Sequence, residues 1–127
     1  MVRALHRTTI EITTEDTLTE RGDCIIGVGA GKGCAQLGEA VKSAIVQASS
    51  LVLLRVVVGD DSFLVRARGD PRLSLTDPHD IVVRKSYYAS GRTIAVGSDS
   101  AAVDIPRRMV AMLRNPSSTG YLEVEVL

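Results

Sequence analysis

The sequence predicts a mainly β domain of the α+β class, a two-sheet sandwich of about seven strands with two covering helices. Three observations lead there. Most segments place apolar residues at every second position, the period of a half-buried strand, whereas two segments switch to the three- and four-residue spacing of an amphipathic helix. The elements do not alternate strand, helix, strand as a parallel α/β sheet would. With 127 residues the chain suits one hydrophobic core, so residues 1–127 are read as a single domain.

The segment from Val2 to Thr13 alternates and predicts a strand, with His6, Thr8, Ile10 and Ile12 on one face and Thr9, Glu11 and Thr13 on the other. A polar turn region follows to Asp23; its Arg21-Gly22-Asp23 is read as a turn, since nothing in the sequence suggests export. Cys24–Val28 reads as a short buried strand. After the glycine-rich run, Leu37, Ala40, Val41, Ala44, Ile45 and Ala48 recur at helical spacing. Leu51–Val58 and Ser62–Arg68 form the clearest hairpin, turning at Gly59-Asp60-Asp61. Its core face carries Leu54, Val56 and Val58 beside Phe63, Val65 and Ala67. Its outer face gathers Arg55, Arg66 and Arg68, which needs carboxylates or an external anion to offset the like charges.

A loop with two prolines leads to a strand from Asp80 to Arg84 and another from Arg92 to Val96, with a second hairpin as one way to pair them. The second helix is expected to start at Asp104 as its cap, with Pro106 in the first turn, and to end before Asn115-Pro116. Leu122, Val124 and Val126 predict a closing strand with Glu123 and Glu125 facing out.

Fifteen Lys and Arg balance fifteen Asp and Glu, so any basic function must rest on a local patch. No apolar run approaches the roughly 20 residues of a membrane span, and the first residues lack the apolar stretch of a signal peptide; a cytoplasmic protein without membrane partners is expected. Cys24 and Cys34 match neither a disulfide framework nor a zinc knuckle and are read as buried small hydrophobes. One Asn, two Gln and no Trp fit a chain poor in thermolabile amides, as in a thermophile.

The run GVGAGKG, Gly27 to Gly33, invites a phosphate-binding reading, but the spacing fails. Counting back from Gly31-Lys32, the first glycine of a phosphate loop falls on Ile26, and its Ser or Thr falls on Gly33; the dinucleotide fingerprint fails as well. A flexible connection is the favoured reading. His6 and His79 are the only imidazoles, so no metal site and no cofactor is expected. Asp80, Arg84, Lys85, Ser86, Arg92 and Thr93 form the richest polar cluster; its arginines, lysine and hydroxyls suit a phosphate or carboxylate held by charge-assisted hydrogen bonds. The competing reading is a solvated edge in which Asp80 pairs with Arg84 or Arg92.

The strings HRTTIEIT, LTERGDCIIGV, DPHDIVVRKS and GRTIAVGSDSAAVDIPRRMV, which span nearly the whole chain, resemble an archaeal family described only as a domain of unknown function, numbered three-seven-one. The resemblance implies an archaeal protein with a sandwich-like fold, and no activity. It places shared polar residues at His6, Thr9, Glu11, Arg21, Asp23, Cys24, Asp80, Arg84, Lys85, Ser86 and Arg92. The sequence departs from the family pattern at Ser100, where relatives often carry lysine, and in GAGKG.

The favoured function is a binding module that holds a small anionic ligand through Arg84, Lys85, Ser86 and Arg92 with Asp80. Nucleic acid is a less favoured partner, because one Phe and three Tyr offer few surfaces for stacking bases. The alternative is an enzyme whose catalytic candidates are His6, Glu11, Asp23 and Cys24, with the basic cluster holding an anionic substrate. A third reading is an interaction protein that forms a homodimer through an edge strand such as Leu122–Val126.

Overall fold

A computed structural model describes residues 2–16, 22–48, 50–115 and 117–127; Arg21 lies outside them. Seven strands run in chain order as β1 (Thr9–Thr13), β2 (Ile25–Gly27), β3 (Leu51–Val58), β4 (Asp61–Arg68), β5 (Asp80–Arg84), β6 (Thr93–Ala95) and β7 (Gly120–Val126). Two helices, α1 (Glu39–Ile45) and α2 (Arg107–Leu113), are each preceded by a short 3-10 turn, Cys34–Gln36 and Ala102–Asp104. The first sheet has the order β2-β1-β5-β6 and the second β4-β3-β7. The fold is therefore the two-sheet α+β sandwich that the periodicity indicates.

The core lies between the sheets because each strand turns its apolar alternate inward. Ile10, Ile12, Ile81 and Val83 of the first sheet meet Leu54, Val56, Val65 and Leu122 of the second around a very small void. The β3–β4 hairpin pairs Val56 with Phe63 and Leu54 with Val65, as its alternation requires. Its turn is two residues, Gly59-Asp60, with Gly59 at φ 58°, the left-handed value that a tight hairpin demands at that position. At one margin Arg68 and Val96 exchange two backbone hydrogen bonds of 2.7 and 2.8 Å, so the sheets are joined there.

Four expectations are corrected. The first strand begins at Thr9, because Ala4 takes a left-handed φ of 51° and residues 2–8 form an irregular strap that buries Val2 and Ala4; His6 and Thr8 are not strand residues. β5 and β6 pair in parallel, Val82 opposite Thr93, and form no hairpin. Residues 85–92 must then travel back along the sheet before β6 can start, as any parallel connection does. The second helix begins at Arg107 with Pro106 as its cap residue; Asp104 instead accepts the backbone N–H of Ala101 and closes the preceding 3-10 turn. Likewise α1 ends at Ile45, before Ala48.

Candidate functional site

Alternation on β1 and β5 sends Thr9, Glu11 and Thr13 to the outer face of the first sheet, level with Arg84, Val82 and Asp80. Thr93 of β6 stands beside Val82 on the same face. Outer positions are usually wet, yet Glu11, Thr13, Val82 and Thr93 are buried. The returning segment after β5 gives the reason: the Tyr88 ring lies 5.0 Å from the Arg84 guanidinium carbon, and Ser90 Oγ lies 2.9 Å from Thr93 Oγ1. The parallel crossover thus lies over a polar cluster on this face.

Two arginines define it. Arg92 reaches across β5, and its Nη1 donates to Glu11 Oε1 at 2.7 Å and to Asp80 Oδ2 at 3.1 Å. Burial alone would make the Arg92 charge less favourable, but Glu11 and Asp80 outweigh it and hold the proton more firmly than usual. Arg84 differs. Its Nε donates to Thr93 Oγ1 at 3.0 Å, its guanidinium lies over Tyr88, and among the described residues no carboxylate pairs with it. Burial and then the neighbouring Arg92 charge both lower its affinity for its proton. Burial likewise pushes the Glu11 carboxyl above its ordinary value, against the pull of Arg92. The Cys24 thiol, on the turn into β2, is pushed up by burial and then by Glu11.

The cluster therefore brings together Glu11, Asp80, Arg84, Arg92 and Thr93, with Cys24 beside them. It does not gather the other candidates. The His6 ring accepts the backbone N–H of Thr8 at 3.2 Å, and the Asp23 carboxylate turns to Arg3 at 3.0 Å. Lys85, one residue past β5 and so on the other side of the strand, lies 3.6 Å from Asp104. Ser86 accepts the backbone N–H of Tyr88 within the returning segment. Arg55, Arg66 and Arg68 stand on the outer face of the second sheet, on the far side of the core from Arg84. Sequence reasoning missed Tyr88 and Ser90; an arginine followed four residues later by an aromatic in a loop is a weak signal for such stacking.

The glycine-rich run has its own structural role. Gly29 has φ 64°, and a Cβ on Gly33 would overlap the Pro78 carbonyl, so the chain crosses there in direct backbone contact. The run borders a second hollow, about 630 Å³, between β2 and the start of β7, floored by Ile26, Leu37 and Leu122. Among the described residues, no cluster of three or more His, Cys, Asp or Glu side chains is placed to hold a metal ion, and no helix is long and apolar enough to cross a membrane.

The architecture and its charged cluster define a seven-stranded α+β sandwich carrying two partly buried arginines on the outer face of one sheet. The whole chain, residues 1–127, matches a family model described as Domain of unknown function (DUF371), and the chain belongs to that family. It is similar to an uncharacterized protein of the archaeon Methanocaldococcus jannaschii, 37% identical over 113 residues, which is 89% of this chain and 83% of the relative.

Proposed function

We propose that the polar cluster on the outer face of the first sheet binds a small anion, with Arg84 as the principal contact and Arg92 behind it. The observation that carries this reading is that Arg84 is fixed in direction by Thr93 and Tyr88 while no described carboxylate forms an ion pair with it. A partly desolvated cation beside a second cation gains more from an arriving anion than a fully hydrated one does. Arg92 is already met by two carboxylates, so its part is to set the field and to hold the floor. Lys85 and Ser86 lie outside the cluster and make no part of this reading; Asp80 contributes through Arg92.

The enzyme reading draws less support. A thiol nucleophile needs a base beside it, but His6 makes its ring contact with Thr8, and the Cys24 thiol is pushed toward its protonated form. Titration of the full chain with inorganic phosphate and with a nucleotide, followed by calorimetry and amide chemical shifts, tests the binding proposal. Saturable binding at low salt is expected, weakening steeply as chloride rises and falling at least tenfold in Arg84→Gln. Absence of saturation by either probe, or an unchanged affinity in Arg84→Gln, overturns it.

A further inference from the structure

The outer face of the second sheet is bare among the described residues, and its side chains form level rows across the three strands. Arg66 of β4, Leu53 of β3 and Glu125 of β7 share one level. Leu64, Arg55 and Glu123 share the next, followed by Ser62, Val57 and Tyr121. Cations thus occupy the β4 and β3 side, anions the β7 side, and apolar groups the spaces between. Arg55, Arg68, Glu123 and Glu125 are all exposed and make no ion pair among the described residues; Arg66 reaches only the partly exposed Asp99, at 3.8 Å.

We infer that this face binds a second copy of the same chain, through a twofold axis that runs parallel to β3. Such an axis keeps each residue at its level and reverses the order of strands, so β4 of one copy lies over β7 of the other. Arg66 then faces Glu125 of the other copy, twice. The two Arg55 side chains meet near the axis, but each has a Glu123 on either side, one from each copy, so two cations and two anions alternate. A surface that carries both signs in this reversed order complements itself, which is what a twofold interface requires.

Apolar area supports the same occupant. Tyr121 and Leu127 are each 67% exposed on a sheet face where Leu51, Leu53, Val57 and Leu64 are only half-covered. Three strands at about 4.8 Å spacing and roughly 3.3 Å per residue give a flat footprint on the order of 350 Å². That lies below the roughly 800 Å² per partner of a standard interface, so the contact is a weak and transient one. This arrangement is distinct from pairing edge to edge along β7, which leaves Arg66 without a role.

Charge exchange tests it with the full chain. Sedimentation equilibrium between about 1 and 500 μM is expected to show a salt-sensitive dimer. Arg66→Glu and Glu125→Arg, both on exposed positions, should each weaken it at least tenfold. An equimolar mixture of the two variants should dimerise again, because both pairs between positions 66 and 125 are then opposite in sign. A monomer at all concentrations, a dimer indifferent to both variants, or weakening without recovery in the mixture overturns the inference. Melting temperatures that match the wild type at about 1 μM, where the chain is monomeric, show that the loss concerns association.

Discussion

Arg92 Nη1 lies 2.7 Å from Glu11 Oε1 and 3.1 Å from Asp80 Oδ2, so a single nitrogen from the start of β6 ties β1 to β5. Removing the arginine leaves a buried carboxylate facing a second carboxylate with nothing between them. Arg92→Ala is expected to cost about 1–3 kcal/mol, at the low end of what breaking a buried pair costs because Arg92 keeps some contact with water. Urea unfolding measures it, and Glu11→Gln in the same chain should recover part of the loss.

Glu11 also sets a pH dependence. Its carboxyl titrates above its ordinary value in the folded chain, so the folded state holds a proton that the unfolded state has released. For a raised acid the sign is the reverse of the usual carboxylate: its contribution is present at low pH and fades as pH rises from the ordinary carboxylate range through the raised value. Glu11→Gln should therefore match the wild type in acid and equal or exceed its stability at neutral pH. Paired unfolding curves across that range decide it, and a Gln variant that is weaker at neutral pH contradicts the sign.

The two thiols should differ sharply toward an alkylating reagent. Cys34 is fully buried and donates to the carbonyls of Asp77 at 3.3 Å and Gly91 at 3.1 Å, whereas Cys24 is only half-buried. Both are pushed toward the thiol form, each first by burial. Timed alkylation with peptide mapping should label Cys24 slowly and Cys34 only on unfolding, with Cys24 faster in Glu11→Gln, since the thiolate then no longer faces a carboxylate.

Arg107, at the start of α2, donates to the carbonyls of Arg3, Ala4, Ala102, Val103 and Ile105. It clasps the strap of residues 2–8 to the second 3-10 turn. Arg107→Ala should lower stability by about 1–3 kcal/mol, since several carbonyls lose a charged donor together. Limited proteolysis should then trim the first residues while the remainder stays intact.

Gly33 offers a test of the glycine run. Gly33→Ala would press a methyl into the backbone at Pro78 and His79, at a cost of about 1–3 kcal/mol. Ala substitution at Gly31, around which no described atom lies within 4 Å of a new Cβ, should be tolerated.

Strand and helix periods carry their own information, so the hairpin, β5 and the inward rows of β7 were all legible in the residues. So was the local cluster of Asp80, Arg84 and Arg92, because these lie close along the chain. Glu11, 81 residues from Arg92, joins them only through sheet order, which no local pattern encodes. The parallel pairing of β5 and β6 was hidden for the same reason, and with it the roof that buries an outer face. His6, Lys85 and Ser86 were chemically apt, but an irregular strap and the alternation of a strand direct them elsewhere.

The Arg68–Val96 bridge acts as the spine of a book. It joins the end of β4 to the residue after β6, on the margin opposite the fore-edge, where β2 and β7 end their sheets. The hollow beside the glycine run lies at that fore-edge. The arginine cluster instead sits on the outside of a cover and is reached without opening the book.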